Sequence, residues 1–187
     1  MKLWSSFVKH SFFLCVLLGV ASLLPSAHAE ALIESDSRWF YWDHEEDPPA
    51  NWKTSSVSKN WKKGIAQLGY GDDDEATVIE PFRLQYFFRK RFINTSQSGT
   101  KDFIGVLTYD DAAIVYLNGK EVYRTPGMGD IGDPIPARKK ISPDNAVASF
   151  TIKGKAPKSG FNTVAVHLFN HYKKSSDVSF AFSLAEK

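Results

Sequence analysis

The sequence contains one cysteine among its 187 residues, so its fold cannot be stabilised by intramolecular disulfides. Cys15 lies in an apolar run near the N-terminus, after Phe12, Phe13 and Leu14 rather than after the small residues that precede a lipoprotein cysteine. Small exported domains often need disulfides because their cores are limited. A chain of this length without them must be held together by burial of apolar surface, for which it is long enough to form one core.

The sequence also lacks an excess of charge of either sign. It has 23 basic and 21 acidic residues, and two of the basic ones, Lys2 and Lys9, lie in the N-terminal segment. Proteins that bind nucleic acid attract its phosphates with a surplus of positive charge, so this balance argues against a nucleic-acid partner. Short basic clusters occur at residues 89–91, 138–140 and 173–174, and we interpret them as solvated surface.

No motif of a known catalytic machinery is present. Neither the His-Glu-x-x-His pattern of zinc proteases nor the Gly-x-Ser-x-Gly nucleophile elbow occurs in the sequence. His167 falls in the middle of a predicted strand, where packing or hydrogen bonding is its expected role. The sequence therefore predicts no catalytic residue, and we expect a protein that is not an enzyme.

Residues 1–29 have the pattern of a secretory signal peptide. Lys2 and Lys9 supply positive charge, residues 12–24 are mostly apolar, and Ala27-His28-Ala29 forms a cleavage site of small residues. The apolar run is shorter than the roughly 20 residues that cross a bilayer as a helix. We therefore expect export to the periplasm or the extracellular space, with no transmembrane segment after cleavage and with residues 30–187 forming one domain.

Alternation of apolar and polar residues beyond residue 80 predicts an all-β fold. In residues 178–185, Val178, Phe180, Phe182 and Leu184 share one face, as expected for a strand packed on a core. Further strands are predicted at 84–94, 103–109, 112–117, 148–152 and 164–169, and the Asn118-Gly119 pair predicts a tight hairpin turn. Residues 38–80 are less regular and are predicted as one strand followed by long loops. The pattern indicates an antiparallel two-sheet β-sandwich.

An ordered series of short motifs resembles one family of such sandwiches, the galactose-binding-like (discoidin-type jelly-roll) accessory domains of secreted bacterial phosphoesterases and other extracellular proteins. The resemblance extends from Trp39 to Leu184. The residues that carry it are Trp52, Trp61-Lys62-Lys63-Gly64, Gln67-Leu68-Gly69-Tyr70-Gly71-Asp72, Tyr86-Phe87-Phe88-Arg89, Asp110-Asp111-Ala112 continuing to Val122, Asn162-Thr163-Val164-Ala165-Val166, and Ser175-Ser176-Asp177.

The resemblance implies a two-sheet sandwich whose relatives bind carbohydrate, lipid head groups or protein, often with a structural calcium ion. This sequence departs from the family at two places. Ala112 stands where the family commonly has glycine, and Phe169-Asn170 stands where it has a His-Gln pair. A fold alone does not assign a function, so the site must be argued from its residues.

Antiparallel strands place every second loop at the same end of a sandwich. One end should then gather the loops at residues 71–75, 110–111, 126–145 and 170–177. Calcium binds six to eight carboxylate and carbonyl oxygens, so we predict that Asp110, Asp111 or Asp177 helps to hold a calcium ion or hydrogen-bonds a ligand. The alternative is that these aspartates cap backbone amides of the loops.

Carbohydrate ligands stack on exposed aromatic rings, and polar side chains bond their hydroxyl groups. The candidate ligand-binding residues are Trp52, Trp61, Tyr70 and Tyr172 as stacking platforms, with Arg124 and Asn170 as polar partners. The alternative for each ring is burial in the core. We predict a secreted, non-catalytic binding module for carbohydrate or an envelope polysaccharide. A structural or protein-interaction subunit of the cell envelope is the first alternative, and a small hydrolase is the second.

Overall fold

The computed structural model describes residues 31–95, 101–136, 142–154 and 157–187. Twelve strands are present in these ranges. They are β1 (Ala31–Ile33), β2 (Arg38–Trp42), β3 (Lys62–Ile65), β4 (Leu68–Tyr70), β5 (Thr77–Val78), β6 (Gln85–Asn94), β7 (Phe103–Tyr109), β8 (Ala112–Leu117), β9 (Lys120–Arg124), β10 (Ala146–Ile152), β11 (Gly160–Phe169) and β12 (Val178–Glu186). The predicted signal peptide and Cys15 lie outside the described residues. Nothing in the described part of the chain is a helix long and apolar enough to cross a membrane.

The strands form two sheets of six. Sheet A has the order β10-β7-β12-β4-β5, with β1 also paired to β12, and sheet B has the order β3-β2-β6-β11-β8-β9. The pairings are antiparallel except for the short parallel contact of β4 with β5. The predicted all-β, antiparallel two-sheet sandwich is confirmed.

The main core lies between the two sheets and is built by the alternation seen in the sequence. Phe180 and Phe182 of β12 are buried, and Phe180 stacks on Phe88 of β6 at 3.8 Å between ring centroids. Trp39 of β2 meets Phe180 edge-on at 5.0 Å, so it belongs to the core. Apolar residues on one face of each strand thus fix which face turns inward.

A second core covers the outer face of sheet B. It contains Trp42, Trp52, Trp61, Phe87, Ala112, Ile114, Tyr116, Met128, Ala165 and Phe169. The loops at residues 43–61 and 125–128 supply the side chains that lie over the strands. This cover explains why every residue of β8 is buried, because one face packs in the main core and the other beneath the loops. The apolar run at 103–109 could suit a strand buried on both faces, but on β7 alternate residues are only half-buried.

Residues 38–80 form four strands rather than one. The strands β3, β4 and β5 are too short to show a clear apolar alternation. Leu68 and Tyr70 of β4 pack in the main core, and the backbones also approach closely at glycine. A methyl group on Gly69, for example, would lie 2.0 Å from the carbonyl oxygen of Val178 on the paired strand β12. Such contacts leave no periodic pattern in the sequence.

The hairpin prediction and the grouping of the loops are both confirmed. Asn118 and Gly119 have φ angles of 51° and 83°, the left-handed conformations that a type I′ turn requires. At the opposite end of the sandwich, the Asp111 carboxylate accepts a hydrogen bond from the backbone N–H of His171, and that of Asp72 accepts one from the side chain of Asn145. Loops far apart in sequence therefore meet at one rim.

Candidate functional site

Three carboxylates converge on the rim where the loops after β4, β7, β9 and β11 meet. Asp110, Asp144 and Asp177 each place a carboxylate oxygen within 4.8 Å of the others. Asp110 follows β7 directly and is buried, Asp144 precedes β10 and is exposed, and Asp177 precedes β12. The topology therefore brings together two of the three predicted metal ligands and adds Asp144, which the sequence placed only within a long loop on this rim.

Burial and neighbouring negative charge favour the protonated form of Asp110. Desolvation is the largest cause, followed by the charges of Asp111, Asp177 and Asp144 and a side-chain hydrogen bond with Asp177, and together they raise the pKa of Asp110 to about 8. A cation among these carboxylates would relieve the repulsion. Calcium binding stays a prediction.

Asp111 has a different role from its neighbour. Its carboxylate accepts a hydrogen bond of 2.7 Å from the backbone N–H of His171 and so caps the loop that follows β11. This is the capping alternative that the sequence left open. Asp111 is also buried, and burial is the main reason that its pKa is raised.

Three of the four predicted aromatic platforms are not on the surface. Trp52 and Trp61 are buried in the second core, and Trp52 meets Phe87 edge-on at 5.0 Å. Tyr70 is buried, and its hydroxyl donates a hydrogen bond to the carbonyl oxygen of Ser175. A ring without an exposed face cannot stack on a sugar, so the burial alternative applies to all three. Tyr172, which is 54% exposed, keeps its predicted role as a prediction.

The two predicted polar partners are also buried. The Arg124 guanidinium forms a salt bridge with Glu121 and donates to the carbonyl oxygens of Met128 and Asp133, so it anchors the loop after β9. Asn170 donates its side-chain amide to the carbonyl oxygen of Arg83 at 2.8 Å. Both residues hold loops in place, and the expectation of a sugar-binding platform around them is corrected by their burial.

A pocket of about 550 Å³ lies on the outer face of sheet B, at the edge of the second core. Arg89 and Arg91 of β6 share this face because they are two residues apart on one strand. They pair with Ala165 and Thr163 of β11, and Thr163 also lines the pocket. The lining comprises Phe40, Thr54, Ser55, Ser56, Val57, Arg89, Arg91, Asn118, Lys158, Phe161 and Thr163.

The pocket combines an exposed ring with hydroxyl groups and positive charge. Phe161 is 62% exposed, and the Arg91 guanidinium lies 4.7 Å from the centre of its ring. Arg89, in contrast, is only 2% exposed. Burial, and then repulsion from Arg91, lowers the pKa of Arg89. The lining includes Lys158 as a third cation and contains no carboxylate.

The interpretation of residues 89–91 as solvated surface is therefore wrong for Arg89. The sequence feature that could have predicted this burial is the position of Arg89 and Arg91 on the same face of β6 as Phe87. An outward-facing phenylalanine on a long central strand indicates that something covers that face. The cover itself comes from the loop at residues 54–57, whose position the sequence does not indicate.

Comparisons with known proteins identify the fold and no family. No family model and no curated protein matches the chain. Among solved structures, the β-glucuronidase of Bifidobacterium dentium complexed with coumarin-3-O-glucuronide matches with a TM-score of 0.51 at 16% identity, over 78% of this chain and 21% of that one. A β-glucuronidase of Ruminococcus gnavus matches with a TM-score of 0.54 at 11% identity, over 85% of this chain and 29% of that one.

Bacteroides uniformis β-glucuronidase 2 gives a similar result, with a TM-score of 0.53 and 17% identity over 85% of this chain and 18% of that one. The chain thus spans less than a third of the length of these enzymes. At such identities the likeness shows a shared sandwich fold. The resemblance to galactose-binding-like domains stays a prediction.

Proposed function

We propose that this protein is an exported, non-catalytic module that binds carbohydrate in the pocket on the outer face of sheet B. The observation that carries the proposal is the exposed ring of Phe161 beside the hydroxyl side chains of Ser55, Ser56 and Thr163 in one concavity. Aromatic rings stack on the C–H faces of sugars while polar groups bond their hydroxyls. A pocket of about 550 Å³ is within the range of small-ligand sites.

The shared fold supports the proposal indirectly. The matched structures are enzymes named for glucuronide hydrolysis, and one of them is complexed with a glucuronide. The matched part is less than a third of each of those chains. A sandwich of this kind therefore occurs in proteins that handle saccharides, and the pocket gives this chain its own means of contacting one.

The test is a glycan array probed with the purified protein, with and without calcium, followed by titration calorimetry on the saccharides that bind. Phe161→Ala should weaken binding at least about fivefold, since stacking of one ring is worth of the order of 1 kcal/mol or more. Tyr172→Ala, which removes the exposed ring of the rim, is the matched control and should leave affinity unchanged.

The opposite pattern, with Tyr172→Ala abolishing binding and Phe161→Ala leaving it intact, would place the site on the rim and overturn the proposed pocket. If no glycan on the array binds the protein, either with or without calcium, carbohydrate binding would be contradicted altogether. This result would favour the alternative of an envelope protein that interacts with another protein.

A further inference from the structure

Arg89 is a buried cation with no salt-bridge partner among the described residues. No described residue accepts a hydrogen bond from its Nε or Nη1, although both atoms are buried. Buried Arg124 is paired with Glu121, and buried Asp43 is paired with Lys62 and with the backbone N–H of Glu80. Arg124 and Asp43 are thus compensated, whereas Arg89 has no such partner among the described residues.

An uncompensated guanidinium is costly to bury. Arginine stays protonated in proteins, and its planar group offers five N–H donors arranged to meet a carboxylate, sulfate or phosphate. Buried charges in folded proteins are normally paired because desolvation without a partner is strongly unfavourable. The Trp61 ring lies 5.9 Å from the guanidinium carbon and offers only a weak cation–π contact.

The surroundings of Arg89 indicate what its partner is. Arg91 and Lys158 line the same pocket, and within the described part of the chain no aspartate or glutamate does. Three cations around one concavity raise the local positive potential and so attract an anion. The hydroxyls of Ser55, Ser56 and Thr163 add neutral hydrogen-bonding groups to the lining.

We infer that the pocket on sheet B recognises an anionic saccharide, with Arg89 and Arg91 binding a carboxylate or sulfate group of the sugar and Phe161 contacting its ring. The inference rests on the proposed carbohydrate binding and specifies its ligand class. The overall balance of charge does not oppose it, because three local cations suffice for one acidic sugar, whereas a long polyanion would need a basic surface.

The test is titration calorimetry with matched ligands on the purified protein. One series contains an oligosaccharide bearing glucuronic acid, the same oligosaccharide with glucose in place of the acid, and the same neutral chain carrying a sulfate ester. Free glucuronate and inorganic sulfate form separate arms that distinguish a saccharide site from a small-anion site. The acidic and sulfated chains should bind about 10- to 100-fold more tightly than the neutral chain, as expected for charged hydrogen bonds.

Two variants link this preference to the residues. Arg91→Gln, at the more open edge of the pocket, should remove most of the preference for the acidic chain. Arg89→Met should remove it as well and should also raise the melting temperature of the free protein by at least about 2 °C, because it deletes an unpaired buried charge while keeping apolar volume. Lys174→Gln, an exposed cation on the opposite rim, is the control and should change neither quantity.

The possible failures are distinguishable. Equal affinity for the acidic and neutral chains would overturn the inference and leave the proposed carbohydrate binding intact. Binding of inorganic sulfate as tight as that of the sulfated chain would overturn the saccharide part, since the sugar would then contribute nothing. A lower melting temperature for Arg89→Met with the acidic preference retained would show that Arg89 has a structural role only. If no saccharide binds, the proposed function fails and the inference fails with it.

Discussion

Replacing Asp110 with asparagine should remove a large part of the pH dependence of this protein's stability. Asp110 is buried beside three other carboxylates, and these surroundings raise its pKa from the ordinary value of 3.8 to about 8. The folded state therefore keeps a proton on Asp110 at neutral pH, while the unfolded state loses it near pH 4. The contribution of this group to stability is complete below pH 4 and is lost as the pH rises towards 8.

The magnitude follows from proton linkage. When the folded state holds one more proton than the unfolded state, the free energy of unfolding falls by about 1.4 kcal/mol per pH unit. Between pH 5 and pH 7 the loss is at most about 3 kcal/mol from this one group. For a domain of this size, that corresponds to a decrease in melting temperature of the order of 5–10 °C.

The assay is thermal unfolding between pH 4.5 and 8.5 in the presence of a chelator, so that no divalent cation contributes. Asparagine keeps the shape of Asp110 and can donate a hydrogen bond to Asp177, so Asp110→Asn should match the wild-type protein near pH 5 and exceed it near pH 8. Asp73→Asn, at an exposed position on the same rim, should keep the wild-type slope. Identical pH profiles for wild type and Asp110→Asn would refute the reasoning.

Three further outcomes are expected. Calcium at millimolar concentration should raise the melting temperature, and Asp144→Asn should abolish the rise; a melting temperature insensitive to both calcium and chelator would contradict a metal site. Phe180→Ala should lower the free energy of unfolding, measured with urea, by about 3–5 kcal/mol because it leaves a cavity between the sheets. Phe161→Ala, on the surface, should change it by less than about 0.5 kcal/mol. Gly69→Ala should lower the urea midpoint sharply, because its methyl group would lie 2.0 Å from the carbonyl oxygen of Val178, and a wild-type midpoint would argue against that close strand pairing.

The sequence predicts the second half of the sandwich well because burial on one face of a strand leaves an alternating pattern. The predicted strand at 84–94 corresponds to β6, the one at 178–185 to β12, and those at 103–109 and 112–117 match β7 and β8. Pairing partners cannot be deduced in the same way, since any two amphipathic strands satisfy the pattern. The order of the sheets depends on contacts between distant parts of the chain.

Residues 38–80 are harder to predict from the sequence because their short strands show no clear alternation of apolar and polar residues. Strands β3 to β5 are two to four residues long, and the loop at residues 43–61 turns its tryptophans back onto sheet B. A tryptophan in a polar loop can serve either as an exposed platform or as an anchor for the loop. The sequence offers no means of choosing, and the structure shows that Trp52 and Trp61 are anchors.

The role of Trp61 as an anchor for the loop also affects the pocket. Trp61 packs beside Arg89, so the ring that was expected to contact sugar instead helps to bury the guanidinium. If the loop at residues 43–61 left sheet B open, water would hydrate Arg89 and weaken its attraction for an anion. With the loop in place, the Arg89 side chain is only 2% exposed and lies in the same pocket as Arg91 and the exposed Phe161 ring. The second core therefore bears on the inferred function. It buries Arg89 on the sheet face, and in the inferred binding mode an anion in the pocket is the partner of this side chain.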